Sequence, residues 1–484
     1  AGNPRIAGAT VDAGAYEDQD PDPLAGRASQ PEITPGGGTF FNDIQVEVTT
    51  TGADATIYYT TDGSVPDPED TTGVTMEYTG PFSIVADGNS TTVTTVAVGA
   101  GGVPSLVASE TYDTVVADSN VTGNLVPLLS VADTSETALG GSYATLATTT
   151  IGTQTYLYTS NYADGGVSAF RIEDTGDLTH LQTVFDDATL AISGPGYISI
   201  AEQGTDRFLA VPGYSGTGGV SVFKIATDGT LTHTDTVDGS EVAAIGDAWG
   251  TGSAVVDGTT FVLVGDYGET LVVFRLETDG TLTLTDQVAA SDDPDFNLRE
   301  IWQVESFEID GTVYVTVGAS SDSGFSLFSL SSTGLLTNVT NVDDDADRFL
   351  SYLYVPRHAV AGSSDFIVTS EPYDSGMSVF GVASDGSVSD ILNQADDATM
   401  GLAEVYDIAT YQTDGTTYLL TSSYSEGLTL FTLSDTGGLA ALAWLDDTVD
   451  TNLNYLSQSL ILEIGGVPLI FAAGSEGVEV VLVD

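Results

Sequence analysis

The sequence has no cysteine, three histidines, and a single lysine, Lys224, beside eight arginines. Without cysteine there is no disulfide, no thiolate metal site and no cysteine nucleophile. Nine Lys and Arg stand against 70 Asp and Glu, a formal net charge of −61. Such a surface repels phosphate backbones and anionic headgroups, which argues against nucleic acid and membrane surfaces as partners. It attracts divalent cations, calcium in particular, and stays hydrated at high ionic strength, where salt screens its self-repulsion. A saline, halophilic or calcium-rich exterior accounts for this charge; so does a general solubility coat. No apolar run approaches the ~20 residues that cross a bilayer, so membrane insertion through a helix is not expected. The chain opens Ala-Gly-Asn-Pro, with neither an initiator Met nor the apolar core of a signal peptide, and reads as a segment of a longer precursor.

Glycine is abundant, at 55 residues, and it punctuates a repeat. Tyr156–Leu178 reads as strand, glycine turn, strand, second glycine turn and the start of a further strand. The pattern returns at Phe208–Leu231, Phe261–Leu282, Val313–Leu335, Phe366–Val388 and Tyr418–Leu439, and in shortened form at Leu469–Leu482. Aligned on one aromatic, the copies give Phe170, Phe223, Phe274, Phe328, Phe380, Phe431 and then Val480, in steps of 53, 51, 54, 52, 51 and 49 residues. A period of this size marks a repeat architecture. Each copy supplies four short segments, in the first Tyr143–Thr149, Tyr156–Ser160, Val167–Ile172 and Leu178–Val184, which is one propeller blade. The last copy has three, Ser459–Ile464, Leu469–Ala472 and Val478–Leu482, and the lone segment Leu125–Val131 supplies the missing outer strand. The expected fold is all-β: a seven-bladed β-propeller over residues 124–484, closed by strand 125–131, with an N-terminal immunoglobulin-like β-sandwich over 31–117 and a short acidic segment over 1–30.

Three resemblances follow from these residues. The pattern Gly-Gly-Val-Ser-Val-Phe-x-Ile…Asp-Gly-x-Leu-Thr, cleanest at Gly218–Thr232, resembles the propellers of the 6-phosphogluconolactonase-like family. Residues 31–113 resemble the immunoglobulin-like domain at the C-terminus of chitobiases, through Pro35-Gly-Gly-Gly-Thr-Phe40, Ile57-Tyr-Tyr-Thr-Thr-Asp-Gly-Ser64 with Pro66, Tyr78-Thr-Gly-Pro81 and Ser105…Tyr112. That resemblance implies a non-catalytic spacer or binding accessory; Tyr58 and Tyr59 there could stack on a sugar, although core packing is the default for both. Val11–Glu17, Val-Asp-Ala-Gly-Ala-Tyr-Glu, resembles the closing turn of secreted right-handed β-helix proteins and implies a β-helical region upstream.

Candidate chemistry is sparse. There is no Gly-x-Ser-x-Gly elbow for a serine nucleophile, and Gly213–Gly219 lies between strands without the following helix of a phosphate loop. His180 and His233 share one register of outer strands and belong to the rim. Lactonase-like propellers carry Gly-Pro-Arg-His where this chain has Val355-Pro-Arg-His-Ala-Val360, with Gly362-Ser-Ser-Asp365 in place of their Pro-Asp-Gly turn. The resemblance implies that Arg357 holds an anionic substrate and His358 acts as a general base, though the surrounding acidity opposes a phosphorylated one. Alternating carboxylates can converge on a hard cation; Asp18, Asp20 and Asp22 form one such set, with an acidic linker as the other reading, and Asp343, Asp345 and Asp347 form the best one. Every outer strand ends in an acidic step: Asp133, Asp186-Asp187, Asp238, Asp292-Asp293, Asp343–Asp345, Asp396-Asp397 and Asp446-Asp447.

These features favour an extracellular or cell-surface, non-enzymatic structural or adhesive module of a larger protein, stabilised by calcium or salt. Its expected partners are other surface or matrix subunits, copies of itself, or carbohydrate. The alternative is a secreted lactonase-like hydrolase with a site near Arg357 and His358.

Overall fold

The computed structural model describes residues 27–41, 43–51, 54–115, 124–134, 136–139, 143–373, 375–397, 400–446 and 453–483. The proposed β-helix signature and Asp18, Asp20 and Asp22 lie outside them. Two compact units divide the chain, Ala1–Ala117 and Asp118–Asp484. Among the described residues the only helical element is a 3-10 turn, Ala243–Ile245, and no helix is long and apolar enough to cross a membrane.

The first unit is a two-sheet β-sandwich. One sheet has three strands, Glu32–Thr34, Ile44–Thr49 and Phe82–Ile84; the other has five, built around Ser90–Val98 and Ala108–Thr114. Strict alternation along Ile44–Thr49 sends Ile44, Val46 and Val48 inward onto Val93, Ala97 and Tyr112. Tyr59 is committed to packing: its ring stacks on Phe82 at 4.4 Å and meets Tyr78 edge-on.

The second unit is a seven-bladed β-propeller, each blade a four-stranded antiparallel sheet. Six blades are continuous in sequence. In the seventh, Gly477–Val483 pairs with Leu125–Ala132, Val478 opposite Val131 and Val480 opposite Leu129. Donation of this strand from the N-terminal side completes the seventh blade and leaves only the short edges typical of a propeller. The middle strands of a blade are covered on both sides by its neighbours and therefore read as apolar runs, as in Thr270–Leu276. Outer strands such as Leu282–Ala289 are half-exposed and carry the polar residues.

The repeating aromatic lies on the third strand of blades 1 to 6, directly after a β-bulge in its pairing with the outer strand. From blade 2 to blade 6 each ring reaches back into the preceding blade. Phe274 packs with Phe208, Val220 and Val222 of blade 2, and Phe328 with Phe261 and Leu263 of blade 3. The Asp-Gly turns dock the same way. A Cβ on Gly280, at φ +87°, would lie 2.5 Å from the Phe208 ring, and one on Gly334, at φ +83°, would lie 2.7 Å from Phe261. Only glycine allows both the left-handed backbone and that approach.

One boundary differs from expectation in a way that matters for the site. The inner strand of blade 1 is Thr145–Ile151, not Tyr143–Thr149. Tyr143 has φ 62° and cannot extend the strand; it turns its ring towards the propeller axis instead.

Candidate functional site

Three consecutive inner strands, Ile301–Ile309, Val355–Ala361 and Val405–Thr413, bring together a charged cluster near the axis. Arg357 is its centre. Its Nε donates to the carbonyl of Ile408 at 2.7 Å, and its Nη2 donates to Asp407 Oδ1 at 2.9 Å and to Gln303 Oε1 at 3.2 Å. Its Nη1 lies 3.7 Å from Glu305 Oε1. The Asp407 side chain is fully buried and also accepts the backbone N–H of Ser459 from blade 7. Glu305 accepts the backbone N–H of His358 at 2.9 Å.

Burial pushes the carboxyls of Glu305 and Asp407 up, and the Arg357 charge pulls against it. Burial acts to lower Arg357, but the two flanking carboxylates outweigh it and hold the guanidinium above its ordinary value. The neighbouring Tyr197 hydroxyl is raised well above the usual phenol range, first by burial and then by Asp407.

The His358 ring does not share this centre. It stacks on Phe307 of blade 4 at 4.2 Å and 2°, with Nε2 2.9 Å from Asp365 Oδ1. Consecutive strand residues point to opposite faces, so the Arg-His pair separates into an axial guanidinium and an imidazole packed between blades. Asp365 lines a polar cavity of about 590 Å³ with Asp310, Gly381 and Asp435, at the strand-connecting turns. His180 and His233 are exposed on outer strands, each bonded to a threonine three residues on.

Above the charged cluster lies an aromatic layer that the repeat alignment did not single out. In an antiparallel blade, the start of the inner strand, the turn after the second strand and the exit from the outer strand fall at one end. Tyr197, Trp249, Trp302 and Tyr354 lie where the inner strands begin and are buried against one another. Tyr162, Tyr214, Tyr267 and Tyr424 each follow a second strand by one residue. Trp249 and Trp302 meet at 5.0 Å, Trp302 and Tyr354 at 4.1 Å, and Tyr354 and Tyr406 at 5.1 Å. Tyr143 of blade 1 lies 5.5 Å from Trp302 of blade 4, so rings from opposite sides of the propeller meet over its axis. The signal was present in sequence, as an aromatic recurring just after the second strand. It is offset from the aromatic used to align the repeats.

The acidic steps occupy this same end, and in the described loops many of their carboxylates accept hydrogen bonds from nearby N–H groups. In three of the loops the first carboxylate accepts the backbone N–H six residues ahead, Leu139 onto Asp133, Ile192 onto Asp186 and Leu402 onto Asp396, whereas Asp238 accepts from Ser240 and Glu241 and Asp292 from Ala289. The second caps its own turn, as Asp187 does with Thr189 and Asp293 with Asp295. Asp343, Asp345 and Asp347 are not gathered around a common point. Asp343 accepts from Asn297 Nδ2, Asp345 accepts the N–H groups of Asp347 and Arg348, and Arg348 supplies the positive charge. Among the described residues no three acidic or histidine side chains form a group that could hold a metal ion.

Residues 130–400 match the family described as lactonase, 7-bladed beta-propeller. The chain belongs to that family. Within the first unit, residues 35–109 match the chitobiase/beta-hexosaminidase C-terminal domain. No curated protein matches the chain. Among solved structures, the periplasmic gluconolactonase of Pseudomonas aeruginosa is similar at 15% identity and TM-score 0.51, over 80% of this chain and 95% of that one. A protein from Lactobacillus plantarum is 16% identical with TM-score 0.46, over 82% of this chain and 95% of that one. A quinonprotein alcohol dehydrogenase-like protein from Bacteroides thetaiotaomicron is 12% identical with TM-score 0.44, over 86% and 96%. At 15% identity the likeness to the gluconolactonase is one of fold.

Proposed function

We propose that this lactonase propeller hydrolyses an uncharged cyclic ester at the Glu305–Arg357–Asp407 cluster beneath the aromatic mouth. The observation that carries the reading is a guanidinium held at the axis between two carboxylates, in a chain of this family. Ester hydrolysis needs a base to activate water and a positive group at the developing oxyanion. In the proposed mechanism Glu305 takes a proton from water, whose oxygen bonds to the acyl carbon, and Arg357 faces the resulting oxyanion. The ring C–O bond then breaks and the departing oxygen takes the proton back from Glu305, leaving an open hydroxy acid. A chain of net charge −61 disfavours a phosphorylated lactone. The gluconolactonase relative supports a sugar-derived ester, and chemistry at the axis assigns no step to His358. Burial raises the Glu305 carboxyl, so the rate increases as pH rises through that raised value.

The test is a pH-stat assay of the full chain on gluconolactone, comparing Glu305→Gln, which keeps the side-chain size. A loss of about 100-fold or more is expected, the usual scale for removing a general base. No rate above spontaneous hydrolysis refutes the enzyme, and an unchanged rate in the variant refutes the site.

A second reading is an extracellular, non-enzymatic structural or adhesive module, joined to other surface or matrix proteins, to copies of itself or to carbohydrate. What favours it is that all three guanidinium nitrogens of Arg357 are already engaged within the chain, under rings that meet over the axis. It predicts no lactone hydrolysis at all.

A further inference from the structure

We propose that the aromatic mouth binds an organic cation carrying a quaternary ammonium group. The first support is the exposure of rings on this face. Tyr352, Tyr373 and Tyr455 keep 48%, 63% and 41% of their surface exposed, although most other tyrosines of this layer are half-buried or buried. They continue the layer outward. Tyr352 meets Tyr373 at 4.8 Å, Tyr406 stacks on Tyr424 at 5.0 Å, and Tyr424 meets Tyr455 at 4.4 Å. Contiguous exposed aromatics on a soluble fold mark an interaction site.

The backbone is the second support. Tyr143, Tyr352 and Tyr455 sit at φ 62°, 59° and 56°, the left-handed region that bulky side chains avoid. Glu300 and Glu404 occupy the equivalent position in blades 4 and 6 at φ 58° and 51°, so one left-handed turn presents tyrosines and carboxylates on the same face.

The third support is charge. Glu404 acts electrostatically on Tyr406 and Tyr424, and Glu300 on Tyr214 and Tyr267. All seven Lys and Arg of the propeller already face a carboxylate of the chain, and none of these pairings involves Glu300 or Glu404. The mouth therefore combines π faces with carboxylates that no Lys or Arg of the propeller pairs. A quaternary ammonium suits this pairing because it is weakly hydrated and gains from the negative ring face. Calcium requires six or more converging oxygens, and among the described residues no three acidic or histidine side chains form a group that could hold a metal ion. The buried indole Nε1–H of Trp249 has no acceptor among the described residues. It suits a ligand that also carries a hydroxyl, which makes choline the natural probe.

The proposal stands apart from the hydrolase reading, because binding is measured with no lactone present. The full chain in 1 M sodium chloride would be titrated with choline chloride against sodium chloride at matched ionic strength, following tryptophan fluorescence. Two of the three tryptophans, Trp249 and Trp302, lie in the mouth. Choline is expected to give a saturable change that sodium does not. Tyr373→Ala and Glu404→Gln should each weaken it about tenfold, whereas Tyr373→Phe, which keeps the ring, should bind like the unmodified chain. Tyr373 is the most exposed ring of the layer, and an unchanged circular dichroism spectrum confirms that the variant folds. Equal responses to choline and sodium, or full-strength binding by Tyr373→Ala, would overturn the proposal.

Discussion

Asp266 offers the sharpest test of how the mouth is built. It ends the second strand of blade 3, is 4% exposed, and its two carboxylate oxygens accept the backbone N–H groups of Asp247 and Gly268, each at 2.7 Å. Those bonds favour the ionised form, but burial outweighs them and pushes the carboxyl from 3.8 to about 6. At about 1.4 kcal/mol per pKa unit, the two-unit displacement amounts to about 3 kcal/mol. Because the folded value is raised, the contribution is fully present below pH 3.8, where both states are protonated. It is lost as pH rises to about 6, because the unfolded chain ionises first. Asp266→Asn removes the titration while keeping the shape. Urea unfolding of both proteins in high salt, at several pH values from 3.5 to 7.5, isolates it. The difference in unfolding free energy should move by about 3 kcal/mol in favour of the variant across that window, then flatten. Since all other carboxylates are common to both proteins, a difference independent of pH would refute the burial assigned to this residue.

Two further outcomes are expected. Phe274→Ala removes a ring that is 1% exposed and packed into blade 2, and should cost about 3–5 kcal/mol in the same urea assay; a loss under about 1 kcal/mol would contradict the inter-blade packing. Salt should raise the melting temperature by screening, with calcium chloride and sodium chloride equivalent at matched ionic strength, because the loop carboxylates already cap their own turns; a calcium-specific rise in high sodium chloride, lost in Asp345→Asn, would restore a bound ion.

The repeat, the strands and the domain types were all legible in the linear chain, for a physical reason. Six of the blades are runs of consecutive hairpins, and their turns need residues of restricted type. Gly280 and Gly334 could be read as turn glycines from local pattern alone. That each also makes room for a ring of the preceding blade could not, because Phe208 and Phe261 lie more than 70 residues upstream.

The site followed a different logic. Sequence pointed to Arg357 and His358 because they are adjacent and chemically able, but alternation along a strand sends such neighbours apart. The groups around the guanidinium, Glu305 and Asp407, sit about 50 residues to either side and carry no local motif. The doubled aspartates suggested cations when counted along the chain; in three dimensions several of them accept backbone N–H groups of their own loops. The aromatic mouth is the clearest case. Its rings come from the loops of every blade, and only closure of the ring by Leu125–Ala132 sets Tyr143 against Trp302. Composition and period by themselves determined a closed, acidic, seven-bladed propeller, since each blade must bury both faces against its neighbours. Which side chains meet at the axis was decided by the tertiary structure alone, because they share a place in space and no proximity in sequence.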